Sequence, residues 1–166
     1  NYRERLGLQG KVVFFFGGNI GIAQDMDNIV RLAANLQQEP DIFFLLVGEG
    51  SEVRRLQSLI KKLGLANILI MPAVSQEDYL TLVAEFDVGL LSLDAKLKTH
   101  NFPGKLSAYL YCSLPVLASI NLGNDLKEVI EEEDIGICCL NGEDELLRQG
   151  ALRLARDEPL RRRLGR

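Results

Sequence analysis

Apolar residues fall along this chain in short blocks separated by amphipathic stretches, and the blocks keep one order from start to end. "KVVFFFGGNIG" is an apolar run that stops at glycines, and in "AQDMDNIVRLAANLQQ" the residues Met26, Ile29, Val30, Ala33 and Leu36 return at helical spacing. The pattern predicts strand, turn, helix. "DIFFLLVGEGS" repeats it with a strand ending at Gly48, followed by Val53, Leu56, Ile60 and Leu63 on one face of a helix that closes at Gly64. "NILIMPAV" is a third strand, and "SQEDYLTLVAEF" a helix with Ser75 as N-cap and Asp78 in its first turn. "DVGLLSL" is a fourth strand, and the polar loop "DAKLKTHNF" leads to a helix over about 104–112. The strand "PVLAS", the helix "DLKEVIEEE", the strand "IGICCL" and a last helix from about Glu143 complete the series.

Strands this continuously apolar are those covered on both faces, as in a parallel sheet flanked by helices. With right-handed crossovers, the expected fold class is α/β, a Rossmann-like doubly wound parallel sheet of about six strands.

Composition narrows the partners. A formal net charge of -4, with 47% hydrophobic and 25% charged residues, argues against a nucleic acid as the main partner. Cys112, Cys138 and Cys139 have neither zinc-site spacing nor a CxxC pair, and read as reduced core thiols. No apolar run approaches the ~18 residues that span a bilayer, and no signal peptide is visible, so the expected compartment is the cytoplasm. "NYRERLGLQGK" reads as a linker entering a first strand, and "EPLRRRLGR" stops in mid-pattern. The expected division is therefore a linker over 1–10 and one domain over 11–166 whose last helix is cut short. The arginines of "LRRRLGR" read as a solvated helix face, with a domain contact or an anionic membrane surface as alternatives.

Ligands of open parallel sheets bind outside the carboxyl ends of the strands, which directs attention to the loops that begin at Gly17, Gly48, Pro72, Ser92 and Ser119. In "GGNIG", Gly17 and Gly18 would let the backbone approach a phosphate, although a tight turn needs glycine for steric reasons alone. A dinucleotide fingerprint would need glycine where Asn19 stands, while Glu49 is either a ribose-binding acid or a solvated turn residue. In "THNFPGKLSAY", Pro103 fixes the backbone, Gly104 leaves room, and the amides of Gly104, Lys105, Leu106 and Ser107 would converge on an anion. A lysine in a first helical turn opposes the helix dipole by ~0.3 to 1 kcal/mol, which a bound phosphate would offset. In the alternative, Lys105 extends into water. His100 is the only histidine, without a partner that would make it a metal ligand or a triad base.

Taken in order, "FFGGNIG", "LLVGEGSEVRRLQSLIKKLGLANILIMPAV", "YLTLVAEFDVGLLSL" and "FPGKLSAYLYCSLPVLAS" resemble the C-terminal, donor-binding half of the group 1 glycosyltransferases, retaining GT-B enzymes of glycosyltransferase family four. The resemblance implies one half of a GT-B fold, preceded by a missing N-terminal domain that carries most of the acceptor site. It implies transfer of a sugar, with retention, from a nucleotide-diphosphate donor to a hydroxyl. UDP-sugar is favoured over GDP-sugar, no metal or other cofactor is needed, and this half alone is expected to be inactive. Donor contacts are implied for Gly17, Gly18, Asn19, Gly48, Glu49, Pro72, Ala73, Val74, Asn101, Phe102, Pro103, Gly104, Lys105 and Leu106, with His100 beside the sugar in the catalytic position. Two acidic positions of the family fall on His100 and Ala108, and its first-loop arginine and lysine are replaced in the stretch of Asn19 and Gln24. Positive charge near the phosphates then rests largely on Lys105. The Pro-Gly-Lys form resembles bacterial enzymes of surface polysaccharide and lipopolysaccharide synthesis, which implies a lipid-linked saccharide acceptor and peripheral contact with the inner membrane. An epimerase-like GT-B enzyme and a non-catalytic interaction domain that has lost donor binding are the alternatives.

Overall fold

The structure, a computed structural model, describes residues 2–94, 105–121 and 125–165. Helix α1 (Tyr2–Arg5) leads into strand β1 (Val12–Gly17), a 3-10 turn (Ile22–Gln24) and α2 (Asp27–Asn35). There follow β2 (Ile42–Val47), α3 (Val53–Leu63), β3 (Ile68–Met71), α4 (Gln76–Val83) and β4 (Val88–Ser92). The chain then runs through α5 (Lys105–Tyr111), β5 (Val116–Ile120), α6 (Leu126–Glu132), β6 (Gly136–Leu140), α7 (Asp144–Arg156) and α8 (Glu158–Leu164). The strands form one sheet in the order β3-β2-β1-β4-β5-β6, every adjacent pair parallel. This is the doubly wound, Rossmann-like α/β sheet that the alternating pattern predicts.

Strand alternation builds two cores. Phe14, Phe16, Phe44, Leu46 and Leu90 turn to one face, where α2, α3, α7 and α8 cover them. Val13, Phe15, Leu45, Leu91 and Ala118 turn to the other, under α4, α5 and α6. Leu8, just after α1, is 2% exposed and belongs to this second core. Nearby, the Arg3 guanidinium donates to the carbonyls of Glu85, Leu8 and Lys11 and pairs with Asp87 at 3.1 Å.

The register is uneven. β1 pairs with β2 through six residues, Val12 to Gly17, but with β4 only through Phe14 and Phe15. Across that short seam the buried Tyr109 hydroxyl donates a hydrogen bond shared between the Leu90 carbonyl at 2.9 Å and the Phe15 carbonyl at 3.2 Å. The Asp87 carboxylate adds a stitch by accepting from the Val13 N–H at 2.8 Å.

Where one last helix is expected from Glu143, the chain makes two. α7 ends at Arg156, Asp157 caps α8 by accepting from the Leu160 N–H at 3.0 Å, and Pro159 occupies its first turn. Proline lacks the donor that a continuous helix would need there. The arginines that follow are engaged within the fold: Arg161 donates to the Leu154 and Ala155 carbonyls, Arg162 pairs with Glu158, and Arg163 lies 3.8 Å from Asp134. Among the described residues, no helix is long and apolar enough to cross a membrane.

Candidate functional site

β1 and β4 are neighbours in the sheet but not in sequence: the chain builds outward from β1 through β2 to β3, then crosses back to β4 and builds outward on the other side. A crevice opens outside their carboxyl ends, the usual ligand position in such sheets. Its first wall is laced backbone to backbone. The Gly18 N–H donates to the Val47 carbonyl at 3.0 Å, the Ile20 N–H to Glu49 at 2.9 Å, and the Gly48 N–H to Met71 at 3.0 Å. Two glycines make this approach possible. A Cβ on Gly48 would run into the Gly18 carbonyl, and Gly18, at φ 142°, adopts a conformation that side-chain-bearing residues rarely reach.

These loops border a cavity of about 290 Å³ whose walls include Gly18, Asn19, Gly48, Glu49, Ala73 and Val74. Six of the residues singled out from sequence therefore surround one space. Pro72 lines an adjoining cavity of about 420 Å³, which also borders Gly48 and Glu49 and reaches Arg54 and Gln57 on α3. Gly17 stands just behind, its carbonyl accepting from the Tyr79 hydroxyl at 3.2 Å. Tyr79 also lines the smaller cavity, and burial pushes its hydroxyl above the usual tyrosine range, so it stays a neutral donor. Sequence reasoning missed it. Its signal, one tyrosine on an amphipathic helix, cannot be told from a core position.

Lys105 approaches the same turn from α5. A Cβ on Gly18 would sit 2.9 Å from the Lys105 Cε, and the ammonium lies 4.8 Å from the centroid of the Phe16 ring. Burial lowers the Lys105 pKa below the ordinary lysine value, and no carboxylate among the described residues contributes to the shift. Arg55 presents the opposite case. It is held by Asp27 and Glu52, and those hydrogen bonds raise its pKa still further. Among the described residues Lys105 is thus not paired with a carboxylate, nor does it extend freely into water.

Two residues named from sequence are placed differently from a simple ligand-facing reading. Leu106 is 7% exposed, with its side chain in the second core beside Tyr109, so only its backbone is available to a ligand. Gln24 turns back to accept from the Gly21 N–H at 3.0 Å, closing the 3-10 turn. Ala108, one turn beyond Lys105, is half-buried and offers only a methyl group. His100, Asn101, Phe102, Pro103 and Gly104 lie outside the described residues.

The opposite wall of the crevice is built from side chains. Asn28 donates to the Ser119 hydroxyl at 2.6 Å, both groups being buried. Asn141, after β6, donates to the Asp25 carboxylate at 3.0 Å and to the Leu93 carbonyl at 2.8 Å. Asp25 takes a left-handed backbone at φ 42°, and the Asp94 N–H donates to the Ala23 carbonyl at 2.8 Å. The 3-10 turn is thereby fastened to the ends of β4, β5 and β6. No group of three or more histidine, cysteine, aspartate and glutamate residues among those described is placed to hold a metal ion. A roomier cavity, about 460 Å³, lies at the amino ends of the strands beside Leu8, Lys11, Ile42 and Asn67. Its position, away from the carboxyl edge, makes it the weaker candidate despite its size.

Comparison with known proteins bears on the family and the fold. The family model for "Glycosyl transferases group 1" matches residues 1–166. The chain is similar to WcaI of Escherichia coli (strain K12), a glycosyl transferase named for colanic acid biosynthesis, at 29% identity over 106 residues, covering 63% of this chain and 26% of WcaI. The chain spans about a quarter to a third of the length of the curated relatives it matches. Among solved structures, Anabaena Alr3699/HepE in complex with UDP-glucose superposes with a TM-score of 0.83 at 19% identity, over 99% of this chain and 44% of that one. WaaG, a glycosyltransferase involved in lipopolysaccharide biosynthesis, superposes with a TM-score of 0.80 at 18% identity, over 99% of this chain and 43% of that one.

Proposed function

The chain belongs to the group 1 glycosyl transferases, and we propose that it is the donor-binding half of such an enzyme, taking a nucleotide-diphosphate sugar at the carboxyl end of β1 and β2. The observation that carries this reading is the contact of Lys105 with the glycine turn. A half-buried ammonium with no carboxylate partner among the described residues lies against Gly18, beside a cavity open at the strand ends. A diphosphate supplies the charge that this ammonium lacks, and the loops at Gly48 and Val74 leave room for the nucleoside.

UDP-sugar is the favoured donor, a choice supported by the UDP-glucose and UDP complexes of HepE. In transfer the bond between the anomeric carbon and the diphosphate oxygen breaks. The electron pair stays on the leaving diphosphate, and Lys105 stabilises that growing charge in a site partly shielded from water. The sugar passes with retention to an acceptor hydroxyl presented largely by a second, N-terminal domain of the same enzyme. The acceptor is a lipid-linked saccharide of surface polysaccharide synthesis, and the enzyme works in the cytoplasm at the inner membrane. The names of WcaI and WaaG, which give colanic acid and lipopolysaccharide biosynthesis, support the polysaccharide part of that reading.

Titration calorimetry with UDP, GDP and uridine tests the reading. UDP should bind, GDP more weakly, and uridine more weakly than UDP. Lys105→Ala should remove roughly 10- to 100-fold of affinity for UDP and little of that for uridine, the range for a charge-assisted hydrogen bond. Equal losses for both ligands would deny the assigned role. Absence of any nucleotide binding at millimolar concentration would instead favour an interaction domain that has lost its donor, a possibility to which Ala108 points.

A further inference from the structure

The position of Lys105 has a second determinant, one that the family resemblance does not supply. α5 covers the face of the sheet that carries Phe15, whereas the Phe16 ring points to the opposite face, into the core beneath α2. The Lys105 side chain starts on one side and ends with its ammonium 4.8 Å from the ring centroid of a residue on the other. It therefore crosses over the end of β1. The slot it uses is the one left by Gly18, where any Cβ would press against Cε. Phe16 itself is completely buried, so its ring face is closed to bulk water.

We propose that Phe16 is a positioning residue for diphosphate binding: its ring holds the Lys105 ammonium across the carboxyl end of β1, so that the charge stands in place before the nucleotide arrives. This rests on the donor-binding reading above. An aromatic face attracts a cation through its quadrupole, and the attraction is larger where water is excluded. A flexible lysine held in this way surrenders less rotamer freedom when a phosphate binds, which turns the contact into affinity. The burial that lowers the lysine's proton affinity would otherwise favour its swinging out into solvent. Of the other ionisable groups on the elements around it, Tyr79 and Tyr109 are both raised by burial and neutral at ordinary pH. Neither Glu77 nor Asp78 on α4 is paired with Lys105.

The experiment uses two readouts on the protein, wild type and with trifluorinated phenylalanine incorporated at position 16, which keeps the ring's shape but weakens its quadrupole. The first is the ring-current shift of the Lys105 ε-methylene protons in the ligand-free protein, by NMR with labelled lysine. The second is affinity for inorganic pyrophosphate, for UDP and for uridine. Fluorination should shrink the ring-current shift and weaken pyrophosphate and UDP binding by about threefold to tenfold, with uridine unchanged. Phe16→Leu should show the larger loss of pyrophosphate affinity, and the fluorinated protein keeps the test open if that variant does not fold. A wild-type shift in the fluorinated protein, or undiminished pyrophosphate binding, overturns the role of Phe16. Wild-type protein that binds neither pyrophosphate nor UDP removes the donor reading itself, and the role with it.

Discussion

The two walls of the crevice are built on opposite plans. On the β1–β2–β3 side, side chains are withheld: glycines bring the loops into backbone contact, and a cavity remains. On the β4–β5–β6 side, short polar side chains fill the space, and Asn28, Ser119, Asn141 and Asp25 satisfy one another across the strand ends. The difference separates a surface with room for the proposed donor from one that holds a turn in place. Polar atoms on the open side can stay in contact with solvent, whereas Asn28 and Ser119 on the holding side are buried and must find partners within the chain.

The strongest way to break this contrast is to put a side chain where one is excluded. Gly48→Ala would drive a methyl group into the Gly18 carbonyl, forcing the two loops apart. Calorimetry should show UDP binding lost, and thermal or urea denaturation a destabilisation of about 3 kcal/mol, the upper range for overpacking. Wild-type binding by this variant would show that the close approach of the loops is not needed. Next in size, Asn28→Ala removes the donor to the buried Ser119 hydroxyl. It should cost about 2 kcal/mol in urea unfolding while leaving pyrophosphate affinity within twofold, because its effect belongs to the holding wall. A large loss of pyrophosphate affinity would show the two walls to be one unit.

The smallest expected effect distinguishes the walls by pH. Burial, the main cause, pushes the β6 thiols up, Cys138 to about 12 and Cys139 to about 11 from an ordinary 9.0. The unfolded chain loses these protons first, so their contribution to stability is complete below pH 9 and falls as pH rises through the window from 9 to 12. Lys105 has the opposite sign. Its folded pKa lies below the unfolded value of 10.5, so the unfolded state binds more protons just under that pH and stability gains as pH rises there. Urea midpoints measured across this range should decline less steeply in Cys138→Ala/Cys139→Ala than in wild type, and more steeply in Lys105→Met. Parallel curves would mean that burial perturbs neither group.

Much of the frame could be read in the sequence because its signals are local. Gly64 stands at the C-cap of α3 in a left-handed conformation, Ser75 caps α4 by accepting from the Asp78 N–H, and six apolar runs became six strands. The loops that meet at the cavity were legible too, since the chain order places them at successive strand ends. What escaped depends on contacts distant in sequence. Asn28 and Ser119 are 91 positions apart, Tyr79 and Gly17 are 62 apart, and nothing near any of them marks a partner. Lys105 was picked out by its place in a first helical turn, but the Phe16 ring beneath it had the appearance of any core aromatic. The division of α7 from α8 was written locally in "RDEPL", where a capping aspartate precedes proline, yet arginine-rich amphipathic sequence on both sides masked it.

The short register between β1 and β4 bears on how the domain deforms. A sheet bends most easily where the fewest rungs join its strands, and here that crease runs beneath the crevice. The Tyr109 hydroxyl, gripping one carbonyl on each side, acts as a rivet through the fold line. The fold line is also spanned by the Asn28–Ser119 and Asn141–Asp25 hydrogen bonds, so any change in the gap between the glycine-lined wall and the side-chain wall must strain the rivet and these ties together.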